Sequence, residues 1–412
     1  MTSKHDWMMG NETSARPTSG FVHGMGQTLV EADWPALTDN EVRAVLRHFN
    51  RHEGVGATRA PLVSWRSPRP MSAAALVHFA NETVFVKRHH VAVRTPERLR
   101  VEHEFSSYLR ARGQALPAVL RCANGDTMVL DGEYLYEVHA RAAGVDLYRD
   151  VPSWHPFTSV GHARAAGRAL ARFQRAARDC PLAPSVPGVL ASSTAIVAAT
   201  DPLAELERLI AARPGLARAV THRSLVADFT RYHLPTIEKV APLLRALVAQ
   251  WGHGDWHPSN LTWSSTRPNA IVKGVLDLGL SNRTFAVHDL AVALERSTVD
   301  WLDTAGTGLV TANLAAVDAL LDGYEEVLPL SEVEWAALIA VLPVVHLEYA
   351  LSEVEYFAEV VYSRSNADLA YDGYFIGHTR WFGEAAGSEL IDHLQRRAHR
   401  AENARTVTQC PN

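Results

Sequence analysis

The sequence predicts an α+β protein of two lobes, a small β-rich N-terminal lobe and a larger helical C-terminal lobe. Alternating apolar stretches separated by turn residues dominate the first part of the chain, which is typical of antiparallel strands. Helical periodicity dominates from about residue 163 onward. The composition shifts near Val138, so we place the boundary between the lobes there. With 412 residues, the chain is long enough for two lobes.

Composition and charge exclude several classes of partner. Hydrophobic residues make up 47% of the chain and charged residues 21%, a balance that allows a large core. The net charge of −5 gives no broad positive field for nucleic acid or an anionic membrane. The longest apolar run, residues 335–345, falls short of the roughly 20 residues that span a bilayer.

The cysteines and the N-terminus indicate a cytoplasmic protein. Cys122, Cys180 and Cys410 are odd in number and widely spaced, so they do not form a disulfide framework. Residues 1–10 lack the apolar core of a secretory signal. We therefore expect a cytoplasmic protein with neither a nucleic-acid nor a membrane partner.

The elements of the N-terminal lobe can be predicted in chain order. A capping box at residues 38–41 begins a helix that runs to about Asn50. Further along, a hairpin signal separates two β-rich runs, and a helix and a second strand pair follow. These later elements are strands 75–80 and 83–87, helix 98–112, and strands 127–130 and 134–138.

The C-terminal lobe is predicted to be mostly helical. Short β-like pieces interrupt it only around Asp255 and Asp277. The clearest helices are 163–177, 201–212, a segment punctuated by prolines over 234–250, and 332–361.

One segment carries the strongest chemical signal. In residues 253–260, Asp255 precedes Asn260 by five positions, in a stretch too rich in Gly and Pro to be helical. Asp277 ends an apolar run about seventeen residues later. Protein kinases use this order for an Asp at the substrate hydroxyl, an Asn on Mg²⁺ and a second metal-binding Asp. We therefore predict that Asp255 is the catalytic base and that Asn260 and Asp277 hold Mg²⁺.

Two other interpretations of this segment are weaker. A surface turn rich in Asp, Asn and Pro is common, but apolar residues flank the segment here on both sides. His253 and His257 have the i, i+4 spacing of a helical zinc pair. Gly254 and Pro258 argue against a helix, and no third ligand is evident. We expect His253 to make a structural hydrogen bond beneath the loop.

Lys87 ends an apolar strand and is the candidate that contacts the nucleotide phosphates. A carboxylate on the next helix has to hold it, and Glu102 and Glu104 cannot face the same way. We choose Glu104, because Glu102 lies near the helix start and could act on the helix dipole alone. The alternative is a solvated strand end, since the basic residues 88–90 follow.

The strand that ends near Val138 leads toward the junction of the lobes. By chain order, the backbone around Glu137 and His139 is predicted to meet the purine edge of the nucleotide. Backbone contacts leave no side-chain pattern, so this assignment depends on order alone.

The residues 253–255 with Asn260 resemble the His-Gly-Asp-x-x-x-x-Asn loop of the aminoglycoside phosphotransferase and choline kinase-like family. Asp277 and the Asp-Leu-Ala element at 289–291 resemble the family's following elements, and Lys87 with helix residues 101–104 resembles its N-terminal lobe. The resemblance covers roughly residues 36–300. The loop differs from the His-Arg-Asp loop of protein kinases.

The chain departs from the family pattern in places. The phosphate-loop candidate, residues 67–72, contains no Gly, and Ser72 is its weakly predicted phosphate contact. Thr284-Phe285-Ala286 replaces the Gly-Asp-Pro that often precedes Asp-Leu-Ala. None of these changes removes a proton or metal ligand.

The resemblance implies a two-lobed protein-kinase-like fold and a transfer of phosphate from ATP or GTP, with Mg²⁺, to a small-molecule hydroxyl. It also suggests a division of the chain. We expect a flexible extension over 1–35, a nucleotide-binding lobe over 36–138, a helical lobe with the catalytic loop and acceptor site over 139–400, and a tail over 401–412.

The acceptor is predicted from acidic residues late in the chain. Glu348, Glu355 and Glu359 share one helix face, tyrosines are interleaved with them, and Asp372 follows. Carboxylates beside aromatic rings could hold an ammonium group, as in an aminoglycoside-like antibiotic. A solvated acidic face is the alternative.

Other functions remain open at this point. A kinase of an amino alcohol or homoserine has the same motifs, so antibiotic resistance and primary metabolism are not separated. A nucleotide-binding pseudokinase would need no acceptor. A protein kinase is disfavoured by the loop sequence.

Overall fold

The structure is a computed structural model that describes residues 21–23, 29–49, 62–79, 82–185, 188–304 and 306–409. Most of the predicted N-terminal extension, the turn at Ala80 and Asn81, and the last residues of the tail lie outside the described residues.

The strands and helices alternate as the two-lobed prediction requires. The strands are β1 Phe21–His23, β2 Leu29–Glu31, β3 Leu62–Arg66, β4 Ala73–Phe79, β5 Glu82–His90, β6 Val129–Asp131, β7 Tyr134–Ala140, β8 Gln250–Gly252, β9 Leu261–Trp263, β10 Val272–Val275 and β11 Asn282–Thr284. The first helices are α1 Asp39–His48, α2 Pro96–Ala111, α3 Val160–Ala177, α4 Pro202–Ala212, α5 Pro214–Ala219, α6 Leu225–Tyr232 and α7 Leu234–Arg245. They are followed by α8 Ala286–Thr298, α9 Leu314–Glu325, α10 Glu332–Val341, α11 Leu347–Glu355, α12 Arg364–Asp368, α13 Gly377–Trp381 and α14 Ala385–Gln409.

The N-terminal lobe is built on a five-stranded antiparallel sheet in the order β3-β4-β5-β7-β6. In its register, Lys87 on β5 lies directly opposite Glu137 on β7, so both side chains point to the same face. The predicted capping box is present: Thr38 accepts from the Glu41 backbone, and Glu41 accepts from the Thr38 backbone. The apolar side of α1 packs on the sheet.

The strand that carries Lys87 is longer than predicted. We expected it to end at Lys87, but β5 continues to His90 because Arg88 and His89 are buried and paired. Arg88 donates to Glu41 over 2.6 Å, which ties the sheet to α1. The alternative interpretation of residues 87–90 as a solvated strand end is therefore wrong.

The C-terminal lobe is helical, and its helices pack closely. Gly167 on α3 and Gly323 on α9 face each other's backbone: a Cβ on Gly167 would overlap the Leu320 carbonyl, and one on Gly323 would overlap that of Arg164. Glycine at both positions allows the two helices to approach closely.

The predicted helix over 332–361 is divided into several segments. A 3₁₀ turn at Leu342–Val344, which contains Pro343, separates α10 from α11, and a π-helical segment Tyr356–Val360 follows α11. By length and composition, Glu332–Val360 could cross a membrane, but 72% of its apolar window is buried inside the protein. The segment is therefore a core element of this lobe.

Candidate active site

The predicted catalytic loop lies between β8 and β9, and Asp289 on α8 holds it from below. The carboxylate of Asp289 accepts hydrogen bonds from the backbone N–H groups of His253 and Gly254, both at 2.7 Å. The ring of His253 lies 2.9 Å from the Leu276 carbonyl, which is the expected structural hydrogen bond. Gly254 has φ +76°, and a Cβ there would overlap the Leu280 carbonyl oxygen, so the turn requires glycine.

Asp255 lies at the centre of this loop. The amide nitrogen of Asn260 donates to its backbone oxygen at 2.9 Å and to its carboxylate at 3.0 Å. The guanidinium of Arg296 pairs with the other carboxylate oxygen, and His257 Nε2 lies 3.4 Å from that oxygen. The side chain of Asp255 is 20% exposed, so it is accessible from one side only.

The environment keeps Asp255 ionised. Burial raises the pKa of the Asp255 carboxyl, but its interactions with the His257 and Arg296 side chains outweigh it and hold that pKa well below its usual range. Burial also lowers the pKa of His257, so this imidazole is largely neutral at neutral pH. Arg296 is therefore the permanent cation beside Asp255.

Asp277 follows β10 and faces Lys87. Its backbone has φ +52°, a strained conformation for a residue with a side chain, of the kind that clusters at functional sites. Lys87 Nζ lies 3.0 Å from both carboxylate oxygens. Burial alone would raise the pKa of Asp277, but Lys87 holds it below its usual value.

Asn260 and Asp277 fit a magnesium ion. The Asn260 nitrogen is engaged with Asp255, which leaves its carbonyl oxygen for a cation. The Asp277 side chain is 39% exposed and ionised. Hard oxygen ligands that leave room for water and phosphate oxygens suit Mg²⁺.

The structure corrects the predicted partner of Lys87. Glu104 is exposed on α2, whereas Glu102 is buried. Burial lowers the pKa of Lys87, and the carboxylates of Asp277, Glu137 and Glu102 more than compensate, so the ammonium stays charged. Glu102 is also held by Arg94, with the nitrogen and oxygen 3.6 Å apart. The error came from assigning Glu102 to the helix start, although α2 begins at Pro96, six residues earlier.

The structure also argues against a purine contact by the Glu137–His139 backbone. Leu120 N–H donates to Val138 O and Ala140 N–H to Ala118 O, both at 2.8 Å, while Glu137 and His139 pair with β5 on the other side. These backbone groups are occupied because β7 is an inner strand. The next residues, Arg141 and Ala142, lie beyond the end of β7 and lead into the helical lobe.

The predicted phosphate loop connects β3 and β4. Ser72 is half-buried at its end. Arg69, which the sequence analysis missed, reaches across to the other lobe and donates to the Val151 carbonyl at 2.6 Å. Burial lowers the pKa of Arg69 to about 10, partly offset by carboxylates that include Asp146, Asp255 and Asp277. A cation therefore lies within electrostatic range of both Asp255 and Asp277.

The four acidic residues predicted to bind the acceptor instead form hydrogen bonds or ion pairs within the protein. Glu348 accepts from the Ile196 backbone at 2.7 Å. The other three pair with arginines: Glu355 with Arg213, Glu359 with Arg218 and Asp372 with Arg223. The prediction of an ammonium site at these residues is corrected, because each carboxylate already has a structural partner.

A different group of side chains surrounds Asp255 on the acceptor side. Arg296 lies 4.9 Å from the ring centre of Trp154 and 4.8 Å from that of Tyr349, and Tyr374 packs on Trp154. Glu353 on α11 is buried, and one of its carboxylate oxygens has no hydrogen-bond partner. Burial raises the pKa of Glu353 to about 7.

Sequence spacing could have found two of these residues. Arg296 follows Asp289 by seven positions on α8, so both face the catalytic loop. Glu353 follows Tyr349 by four on α11 and shares its face. Spacing could not have indicated Arg69, because this residue lies in a loop without helical or strand periodicity.

Comparison with models of protein families gives a match. A family model described as the phosphotransferase enzyme family matches residues 72–330, which is more than half of the chain. Comparison with curated protein sequences gives no match.

Several solved structures share the fold. A microcompartment-associated aminopropanol kinase has a TM-score of 0.50 at 14% identity, covering 83% of this chain and 95% of that chain. A spectinomycin phosphotransferase, solved with ADP and spectinomycin, has a TM-score of 0.48 at 9% identity, covering 88% and 98%. An aminoglycoside phosphotransferase from Alicyclobacillus acidocaldarius subsp. acidocaldarius DSM 446 has a TM-score of 0.46 at 14% identity, covering 89% and 98%.

Proposed function

Since the chain belongs to the phosphotransferase enzyme family, we propose that it moves the γ-phosphoryl group of ATP or GTP to a hydroxyl of a small molecule. The observation that carries this proposal is the proximity of four side chains: Asn260 contacts Asp255, Lys87 contacts Asp277, and the two aspartates interact electrostatically. These side chains can position the reactants and neutralise phosphate charge, which are the main contributions of a protein to phosphoryl transfer.

The nucleotide side of the proposal uses both lobes. Lys87, held near Glu102, contacts the phosphates, and Arg69 adds a second positive charge above them. Asn260 and Asp277 hold Mg²⁺, which when bound neutralises phosphate charge. The backbone that follows β7, at Arg141 and Ala142, is proposed to meet the base. Residues 36–138 are then the nucleotide-binding lobe and 139–400 the catalytic and acceptor lobe.

Asp255 orients the acceptor hydroxyl and takes its proton. The hydroxyl oxygen forms a bond to the γ-phosphorus, while the bond from that phosphorus to the β–γ bridging oxygen breaks and leaves the nucleoside diphosphate. An ionised Asp255 is available for this at neutral pH, because its pKa is held low.

The acceptor is proposed to be a small molecule with an ammonium group, such as an aminoglycoside-like antibiotic or an amino alcohol. Glu353 would pair with the ammonium, and Trp154 and Tyr349 would contact its apolar part. Related folds in aminopropanol and spectinomycin kinases are in keeping with both acceptor classes. We propose a cytoplasmic enzyme, in accord with the burial of its most apolar helix.

A transfer assay with ATP and GTP labelled in the γ-phosphate tests the proposal. The acceptors are aminoglycosides, aminopropanol and other amino alcohols, and homoserine, with Mg²⁺ present. We expect label on one acceptor class, lost in Asp255→Ala and kept in Asp392→Ala, a control on the exposed face of α14. Nucleotide binding without transfer to any acceptor would favour a pseudokinase instead.

A further inference from the structure

Three histidines meet one buried carboxylate behind Lys87, in the N-terminal lobe. Glu137 is 1% exposed. His103 Nε2 and His139 Nε2 both lie 2.7 Å from one of its oxygens, and His89 Nε2 lies 2.8 Å from the other. The phosphoryl transfer proposed above uses none of these histidine rings.

From this geometry we infer that His103, His139 and Glu137 form a binding site for a divalent transition-metal ion of the zinc type. Their ligand atoms all lie within 4.8 Å of one another. A tetrahedral ion with bonds of about 2.0–2.2 Å separates its ligand atoms by about 3.3 Å. The contacts of the two ring nitrogens with Glu137, now 2.7 Å, would lengthen by about half an ångström around such an ion.

The groups around these three side chains are those that orient metal ligands. His103 Nδ1 lies 2.7 Å from the Thr127 hydroxyl, which can accept its proton and leave the Nε2 lone pair toward the ion. His89 holds the second oxygen of Glu137. Partners of this kind fix ring orientation and carboxylate direction in metal sites.

The chemistry of the ligands separates this site from the proposed magnesium site. Two imidazole nitrogens and one carboxylate suit zinc and its neighbours in the first transition series, whereas Mg²⁺ prefers oxygen ligands. Lys87 lies opposite Glu137 in the sheet and interacts with its charge, but the hydrogen bonds of its ammonium go to Asp277.

An ion could reach this site from solvent, and its binding would link two elements of the lobe. The ring of His139 is 21% exposed, while those of His89 and His103 are buried. His103 belongs to α2, and the other ligands belong to β7. A bound ion would tie the helix that carries Glu102 to the strand opposite Lys87.

A second cluster, Glu295 with His346 and His378, is the competing location. Its carboxylate lies 3.9 Å from the Arg296 guanidinium, and the His378 ring stacks on Trp301 at 3.5 Å. A fixed cation disfavours a metal ion there, so the N-terminal cluster is the better site.

Cobalt titration of the full-length protein tests the inference. The protein is stripped with a chelator and titrated with Co²⁺ in excess Mg²⁺, and visible d–d absorption and calorimetry with Zn²⁺ report binding. We expect one tight ion per chain, with at least tenfold weaker binding in His103→Ala and in His139→Ala. His393→Ala is the matched control, since His393 Nε2 also contacts a carboxylate, Asp318, at 2.9 Å.

The outcomes are distinguishable even where a variant folds poorly. His139→Ala changes a partly exposed ring, and Thr127→Val removes only an orienting hydroxyl, so both are expected to fold. Unchanged cobalt spectra in His103→Ala and His139→Ala would overturn the inference. Loss of the spectrum in His378→Ala alone would assign the ion to the other cluster and overturn it equally.

Discussion

Replacing Arg296 by Gln should destabilise the protein and change how its stability depends on pH. The Arg296 side chain is 3% exposed and that of Asp255 20%, so the variant leaves a largely buried carboxylate without its permanent counter-charge. Removing one partner of a buried ion pair costs about 3–5 kcal/mol. Against a typical total of about 5–15 kcal/mol, the loss is large but leaves a folded state to measure.

The pH dependence follows from the direction of the Asp255 pKa. In the native protein this pKa lies below its unfolded value, so the stability it contributes is present at neutral pH and lost only in acid. Without Arg296, one of the two main causes of the low pKa is lost, so the pKa of Asp255 rises toward its unfolded value of about 3.9. The destabilisation of Arg296→Gln should therefore shrink as the pH falls through the Asp255 pKa of the variant, in the acid range below about pH 5.

Urea unfolding at several pH values measures this effect. Adding Asp255→Asn to Arg296→Gln should restore part of the lost free energy of unfolding, because it removes the orphan charge. Arg164→Gln is the control: its ion pair with Glu326 is half-exposed and should be worth at most about 1 kcal/mol. A cost below 1 kcal/mol for Arg296→Gln, or an additive double variant, would refute the reasoning.

Three further substitutions test other parts of the account. Gly254→Ala should lower the melting temperature and the transfer rate together, because a Cβ overlaps the Leu280 carbonyl; a fully active variant would contradict the loop geometry. Glu348→Gln should cost about 1–3 kcal/mol in urea unfolding with the acceptor KM unchanged, and a raised KM at unchanged stability would show direct binding. The acceptor KM should fall as pH rises through about 7, where Glu353 ionises. Glu353→Gln should abolish this pH dependence of KM. A pH dependence that persists in the variant would show that Glu353 does not bind the acceptor.

The proximity of Asp255, Asn260 and Asp277 was predictable because its signal is local. Glycine, proline and short strands separate these residues within 25 positions, so spacing alone indicates that they lie close together. The fold class followed for a similar reason, because strand alternation and helical periodicity are properties of short windows.

The errors have a common physical origin in long-range pairing. The arginines that neutralise Glu355, Glu359 and Asp372 lie about 140 residues earlier in the chain. A pattern within a short stretch of sequence cannot reveal partners so far away in the chain. An acidic helix face was therefore interpreted as a binding site for the acceptor. The choice of Glu104 failed because the face that α2 turns toward the sheet depends on where that helix begins.

The backbone assignment at Glu137 and His139 failed for a related reason. Their strand pairs on both sides, with β5 and with residues 118–120. The sequence predicts that a strand is present, but the neighbours of that strand are set by the assembled sheet.

The Asp255→Ala variant tests the central claim most directly, because it should lose phosphoryl transfer while it keeps nucleotide binding. Single-turnover transfer from labelled nucleotide gives the rate, and calorimetry with a nonhydrolysable nucleotide and Mg²⁺ gives the affinity. We predict a rate lower by about 10²–10⁴-fold, the contribution of a positioned base, with nucleotide affinity changed by no more than a few-fold. A variant that transfers at the full rate, or that loses nucleotide affinity as strongly as rate, would contradict the role of Asp255.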